Sequence, residues 1–495
     1  MKKDIQNIKR DSIKKSSIFN ITIKLLTYLI PLILSPYLYR VLTFTGVGTY
    51  EYQYAYVTYF CLIATFGFNE YGTKRISSST NDPNELNKRF WSIFIAKQFL
   101  GILCLIFYII IIFTGLFGNQ SNYVSLIIMS LFIIGSMTDL TFLYQGVENF
   151  KSIAIRTFII KIVNLILIFC LVKSPNDYLT YVAIMAGCNL LSSLVMFLPL
   201  HKYVNKPVFN KKNVLIDLKG SFVLFIMALA ISLYTTMQKT ILGILTNETE
   251  VGYFSSATKI KDVVTSICYA IVPIFYSRVA FLFSEGKRNE VKEMIYKCFN
   301  ALYDFVLPCT VGLICVANIF MPFYFGEDAI NAAPILMVSS LSLPMIVTSS
   351  TISYIYLLPD NHQIQANIIY IVTAILNTAF SFISIKLFGA VGAAIGMVFT
   401  ETTAAILCIY YSHKYINFKK VLGIFIKPFD AALLMGLIYM LGNLILTKFL
   451  SNIVSMFILI IISIIVYGSL LILFKDEFCL KMLNYFLNKF KRKGK

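Results

Sequence analysis

Apolar side chains in this chain gather into long runs separated by short polar segments. The runs fall at 16–39, 46–67, 90–113, 122–144, 153–172, 178–200, 220–244, 253–282, 297–321, 332–357, 365–386, 391–411, 425–447 and 452–474. A helix needs about 20 mostly apolar residues to cross the hydrocarbon core of a bilayer. The pattern therefore predicts an all-α, polytopic membrane protein with about fourteen transmembrane helices. The run at 253–282 is long enough to tilt or to protrude. The first run follows a basic N-terminus and at first resembles a signal peptide, but it contains Lys24 and Pro31, and no small-residue cleavage pattern follows it. It reads as a retained first helix.

Composition strengthens this picture. The chain has 495 residues, 58% hydrophobic and 14% charged, against about 45–50% and about 25% in a soluble domain. Little length is left for a domain outside the bilayer. The net charge is +19, which would ordinarily raise nucleic acid as a partner. The Lys and Arg, however, sit mostly in the short segments between runs. In one alternate set of segments there are 32 of them, against four (Arg40, Lys173, Lys386 and Lys448) in the other. That asymmetry marks cytoplasmic loops. It predicts both termini on the cytoplasmic side and leaves no reason to invoke nucleic acid. Segment 358–364 belongs to the inner set yet carries neither Lys nor Arg.

A weak internal repeat is visible. Leu42–Tyr50 (LTFTGVGTY) and Leu245–Phe254 (LTNETEVGYF) both place Val-Gly-aromatic at the start of a run, and Tyr144–Asn149 parallels Tyr356–Asn361. The offsets agree to within a small insertion. The expected plan is two pseudo-symmetric six-helix lobes, at 1–200 and 220–411, joined by a cytoplasmic linker at 201–219. Two further helices and a basic tail occupy 412–495. Related halves around a central site are a common transporter plan.

Enzymatic signatures are missing. No G-x-x-x-x-G-K-[ST], H-E-x-x-H or G-x-S-x-G occurs, so neither a P-loop nor a zincin or hydrolase site is expected. The ten cysteines stand singly without a CxxC pair and read as small reduced side chains. No cofactor, no metal and no catalytic residue is expected, and transport is favoured over catalysis.

Charges inside the runs are costly there and generally face a cavity or a partner. The basic candidates include Lys24, Lys97, Lys161, Lys239, Lys259, Lys261 and Arg278, and the acids include Glu51, Asp139, Asp262 and Glu401. Lys24, Lys97 and Lys161 each lie about eight residues into a run that leaves the cytoplasm, about 12 Å deep. Together they would form a ring attractive to a phosphate headgroup; singly, each would snorkel to the interface. Lys24 and Lys161 read as cavity lysines. Lys97, close to Trp91, reads as a snorkelling one. Lys239 and Lys259 supply cations on the second half or pair with Glu248, Glu250 or Asp262. Glu401, ten residues into its run, is a coupling or ion-pair candidate, as is Glu51. Asp139 is placed to neutralise Lys161. The dense Tyr50, Tyr52, Tyr54, Tyr56 and Tyr59 row suits sugar contacts, but helix packing or an interface belt is the favoured reading.

Several segments resemble one family. Pro36-Tyr37-Leu38-Tyr39-Arg40-Val41-Leu42, followed by Gly46-Val47-Gly48, resembles a "Y-x-x-R-x-L-G-x-x-x-(Y/F)-G" start, with Thr43 in place of the first Gly. Phe66–Arg75 (FGFNEYGTKR) resembles "F-G-L-x-x-Y-G-x-R", and Tyr144–Asn149 (YQGVEN) resembles "F-Q-G-x-E". Leu242-Gly243, Val251-Gly252-Tyr253 and Ala257-Thr258-Lys259-Ile260 follow "L-G … V-G-x-Y-x-x-A-x-K-I", and Phe388–Ala394 gives the Gly-Ala opening of a twelfth helix. In order through most of the chain, the set resembles the lipid-linked oligosaccharide flippases (Wzx-type) of the multidrug/oligosaccharidyl-lipid/polysaccharide exporter superfamily.

That resemblance implies a V-shaped pair of six-helix lobes working by alternating access in the bacterial cytoplasmic membrane. The cargo it implies is an undecaprenyl-pyrophosphate-linked oligosaccharide, turned from the inner to the outer leaflet for a surface polysaccharide. It further implies a cationic cavity, to which Lys24, Lys161, Lys239, Lys259 and Arg40 are assigned. A proton or sodium ion is the implied coupling partner and a polysaccharide polymerase the implied protein partner. The alternatives are a flippase for a peptidoglycan or teichoic precursor, a cation-coupled small-molecule exporter, and a membrane enzyme of polysaccharide assembly. Lys24 in the first helix counts against the exporter, and the lack of a large outer loop counts against the enzyme.

Overall fold

Local signals in the sequence set the helix starts. Asp82 accepts from the Asn84 and Glu85 amides ahead of Pro83, and Asn149, Asn247, Asn417 and Ser451 cap later helices in the same way. Each supplies an acceptor for amides that the first helical turn leaves unpaired. The structure is a computed structural model and describes residues 30–114, 123–208, 210–360, 362–476 and 478–480.

Helices account for all of the regular structure among these residues. They are α1 (30–41), α2 (Thr43–Thr65), α3 (Phe68–Ser77), α4 (Pro83–Phe113), α5 (Tyr123–Thr138), α6 (Thr141–Gly146), α7 (Phe150–Leu171) and α8 (Tyr178–Leu194). Next come α9 (Lys211–Leu245), α10 (Glu248–Ser284), α11 (Arg288–Phe325), α12 (Ala333–Ser340) and α13 (Leu343–Thr351), the last continued by a π-turn at Ile352–Leu357. The chain finishes with α14 (Gln363–Ser412), α15 (Phe418–Leu446) and α16 (Asn452–Leu473).

Ten helical stretches among the described residues are long and apolar enough to cross a membrane. One of them, α14, breaks at Gly389, where φ is 55° and ψ is −133°, so it covers two expected runs. Two further expected spans coincide with α2 and α9, and α1 covers only the end of the first expected span, the rest of which lies outside the described residues. The surface is apolar as well as the interior. On α4, Phe99, Ile102, Leu103, Ile106, Phe107, Ile110 and Phe113 are all exposed. An aqueous surface would not carry so continuous an apolar stripe, whereas lipid contact requires one. With 37 residues, α10 is about 55 Å long and outreaches the hydrocarbon core, as the length of its run allowed.

The chain divides into two units, Met1–Thr240 and Ile241–Lys495. The first holds α1 to α8 and nearly all of α9, which begins within the segment expected as a linker. One core there joins Phe68, Phe90, Phe142 and Tyr144 to Met196 and Tyr203. In the second unit, α11 runs through the largest core, packing Phe299, Leu302 and Val306 against Leu343, Ile355 and Met435.

Two glycines fix sharp turns. Phe66 and Gly67 are both left-handed, with φ of 44° and 70°, and they turn the chain out of α2 into α3. A Cβ on Gly67 would sit 2.7 Å from the Phe225 nitrogen and 2.8 Å from the Ser221 oxygen, so backbone approaches backbone there. At the α14 break, the Glu250 carboxylate accepts from the Ala390 amide at 2.9 Å. Glu250→Ala should therefore destabilise the second unit by about 1–2 kcal/mol, while Glu250→Gln, which keeps an acceptor, should cost less. Thermal unfolding in detergent measures the difference.

Candidate functional site

In the first unit, α2 and α9 meet through polar side chains. Glu51 is almost buried, and its Oε2 lies 2.7 Å from the Lys239 Nζ. Lys239 thus finds its carboxylate 188 positions away rather than at Glu248, Glu250 or Asp262. The tyrosine row divides by helix face. Tyr50 and Tyr54 stack on one another, with Tyr50 edge-on to Tyr181 of α8 and Tyr54 edge-on to Phe132 of α5. Tyr52 and Tyr56 share a hydroxyl–hydroxyl hydrogen bond of 2.6 Å, and the Tyr59 hydroxyl reaches Thr240 of α9 at 3.3 Å. The first face is helix packing, as expected. The second meets α9 through Tyr59, which also lies 3.7 Å from the Met237 sulfur.

Lys97 corrects the sequence reading. It does not snorkel: it is fully buried on α4. Its Nζ donates to the Asp139 carbonyl at 2.7 Å and lies 3.5 Å from the Asn69 Oδ1, with the Phe142 ring 5.8 Å away. Nearness to Trp91 in sequence says nothing of helix face. Trp91 donates outward to the Asn205 carbonyl, whereas Lys97, six residues on, points into the core. Asp139 is also placed differently from expectation. Its carboxylate is 3.5 Å from Arg156 and accepts from the Thr141 hydroxyl at 2.8 Å. It answers Arg156 and not Lys161.

Lys161 is therefore left without a carboxylate within 4 Å among the described residues, and it is half-buried. It lies on a stripe of α7 with Ala154, Asn164 and Ile168, spaced as one helix face. Ala154 and Ile168 are buried, and the Asn164 amide faces the Met185 sulfur of α8 at 3.5 Å. Phe158 and Ile159 on the neighbouring face are exposed. Lys161 thus sits toward the protein and not among the lipid-facing side chains.

Other expected residues are dispersed. Lys24 lies outside the described residues. Arg40 is exposed near the end of α1, and Lys259 is half-buried on α10. Glu401 is half-buried on α14, close enough to Tyr269 and Tyr370 to interact electrostatically. Lys261, more buried than Lys259, pairs with Asp262 at 3.0 Å.

Two polar positions escaped the sequence reading. Gln53 is buried and accepts from Ser125 and Tyr178 at 2.8 and 2.9 Å, tying α2 to α5 and α8. Asp217, 1% exposed, accepts from the Tyr71 hydroxyl at 2.8 Å and the Ser92 hydroxyl at 2.6 Å, with the Arg75 guanidinium at 3.6 Å. Burial, together with the hydrogen bond to this carboxylate, pushes the Tyr71 hydroxyl up to about 12, so Tyr71 stays a donor at neutral pH. The segment Phe66–Arg75 is thus a docking element: Gly67 brings the backbones together, and Tyr71 and Arg75 hold Asp217 of α9. The signal in the sequence was an acid one residue before Leu218, in a stretch read as linker.

Related proteins follow the same course. The chain is 28% identical over 377 residues to the putative O-antigen transporter of Shigella dysenteriae, covering 76% of this chain and 93% of that one. It is 26% identical over 412 residues to the putative O-antigen transporter of Escherichia coli (strain K12), covering 82% and 98%. Among solved structures, the lipid II flippase MurJ in an inward closed conformation matches with a TM-score of 0.71 at 17% identity, over 93% of this chain and 99% of that one. An inward-facing multidrug resistance MATE family transporter of the MOP superfamily matches with a TM-score of 0.56 at 14% identity, over 83% and 95%. At such identities these two likenesses are of fold. The sequence family described as polysaccharide biosynthesis protein matches residues 13–277, more than half of the chain, and the chain belongs to that family.

Proposed function

We propose that this protein is a transporter, not an enzyme, and that it turns a lipid-linked oligosaccharide from one leaflet to the other for assembly of a surface polysaccharide. The single observation that carries the reading is collinearity with two O-antigen transporters over nearly their whole length. The chemistry is consistent. A polyprenyl-pyrophosphate headgroup with its sugars cannot cross about 30 Å of hydrocarbon unaided. A half-buried cation with no carboxylate partner, as Lys161 is, suits an anionic headgroup.

In this reading, Lys161 receives the pyrophosphate, with Lys24 and Lys259 as further cations. Lys239 is engaged by Glu51 and Asp139 by Arg156, and Glu401, half-buried on α14, is the acid assigned to a coupling proton or sodium ion. Two related halves alternate access, both termini lie in the cytoplasm, and a polymerase takes the product on the far side. The substrate is undecaprenyl-linked.

Lys161→Ala should lower surface polysaccharide by roughly tenfold, the order of one lost charged hydrogen bond. Membrane abundance should be unchanged, and Lys161→Arg should restore part of the export. The lipid-linked intermediate should accumulate on the cytoplasmic side. Normal surface polysaccharide in a well-expressed Lys161→Ala strain would remove the assignment.

A further inference from the structure

A cavity lined by three lysines and two carboxylates lies in the second unit. It has a volume of about 820 Å³, within the range of small-ligand sites. Two helices give it matching walls. From α11 it takes Glu293, Tyr296, Lys297 and Asn300, and from α15 it takes Lys420, Gly423, Ile424 and Lys427. Each set has the spacing of a single helix face, and α11 and α15 pack against each other. All of these residues flank the Lys- and Arg-rich segments between runs, on the face expected to be cytoplasmic.

The charges in the cavity are unequally satisfied. The Asp476 Oδ1 accepts from the Phe478 and Cys479 amides at 2.9 and 3.0 Å. With its amide oriented to satisfy both ends, Asn300 donates to Asp476 at 3.2 Å and to Asp304 at 3.3 Å. Glu293 lies 3.9 Å from Lys297. Both carboxylates therefore have partners. The other two lysines have none of that sign among the described residues. Lys420 Nζ rests 4.4 Å from the centre of the Tyr296 ring, and Lys427 Nζ donates to the neutral Lys475 carbonyl at 3.2 Å.

Apart from Asp476, the rest of the lining is apolar. Phe275, Ile424 and Phe478 line the cavity, and a Cβ on Gly423 would meet nothing within 4 Å. Leu422 and Ile426, which the helical period turns away from the lysines, are exposed and lie outside the cavity. A ligand with an anionic head and an apolar tail fits this arrangement: head between Lys420 and Lys427, tail against Phe275, Ile424 and Phe478. A soluble phosphate would leave the apolar part of the site bare.

We propose that this cavity binds the phosphate headgroup of an anionic membrane lipid. The site is separate from Lys161 and the transport reading, and does not depend on it.

The test uses the full-length protein in nanodiscs of phosphatidylcholine with a minor fraction of phosphatidylglycerol, followed by mass spectrometry of the lipid retained after extraction. Wild type should retain phosphatidylglycerol enriched roughly thirtyfold over the bulk, the order that two near-surface lysines supply. Lys420→Gln with Lys427→Gln should fall to the bulk ratio. Gly423→Leu, which fills the space without changing charge, should do the same and decides the matter if the lysine variant does not fold. Lys287→Gln with Lys448→Gln should behave as wild type. Equal retention in wild type and in the cavity variants overturns the proposal. So does inorganic pyrophosphate stabilising wild type, but not the lysine variant, in purely phosphatidylcholine discs, since that outcome assigns the site to a soluble phosphate.

Discussion

Asp217→Ala is expected to lower the unfolding free energy of the protein by about 3–5 kcal/mol, in the range for removing one partner of a buried charged network. The substitution removes the common acceptor of the Tyr71 and Ser92 hydroxyls, at 2.8 and 2.6 Å, in a place where the carboxylate is 1% exposed. Hydrogen bonds to a charged group contribute about 1.5–3 kcal/mol each. The Arg75 contact, at 3.6 Å and on a side chain 37% exposed, adds little once solvent screening is allowed for. Tyr71→Phe should cost about 1.5 kcal/mol on the same grounds, and its effect should largely vanish in the Asp217→Ala background, because the two share one bond. Unfolding in detergent, with membrane abundance as a cellular check, measures both. A loss below about 1 kcal/mol for Asp217→Ala would mean that the carboxylate is hydrated and the docking of α3 on α9 is incidental.

That cluster also shows where the sequence stopped being informative. Membrane spans announce themselves because lipid demands an apolar residue at nearly every position of a long run, so the helices lay close to the expected runs. The α3 helix does not announce itself. It is short and polar and lies between spans, and the role of FGFNEYGTKR became visible only once Asp217 was found against it. The start of α9 at Lys211 was hidden for a related reason: its first turns are polar, so hydropathy placed the run at 220. The chain break at Gly389 was legible, because a Phe-Gly-Ala-Val-Gly segment parted two apolar runs.

Charged residues were legible as candidates but not as partners. Spacing within a helix restricts a charge to a face only when the neighbouring faces are known, and the surface here is as apolar as the interior. Lys97 was therefore misread from Trp91, while the stripe of Ala154, Lys161, Asn164 and Ile168 became meaningful only once Ile168 was seen buried and Phe158 exposed. Asp139 was matched to Lys161 by depth, yet it meets Arg156, closer to it along the chain. Ion pairs between distant helices leave no local trace at all.

The Glu51–Lys239 pair is the sharpest instance, and it supports the second large prediction. Lys239→Met should destabilise the first unit by about 2–4 kcal/mol, since it deprives a nearly buried carboxylate of the cation that answers it. Glu51→Gln together with Lys239→Met should recover most of that loss. A neutral amide beside a thioether brings no uncompensated charge into a low-dielectric site, and a pair replaced whole is often tolerated where one partner removed alone is not. A double-mutant cycle on thermal unfolding isolates the coupling. Transport then tells two roles apart. The pair contributes no net charge to its surroundings, so the double variant should export surface polysaccharide at close to the wild-type level while Lys239→Met alone does not. A double variant that is stable and yet fails to export would show that the Lys239 ammonium meets the substrate itself, and that Glu51 holds it in place between transport cycles.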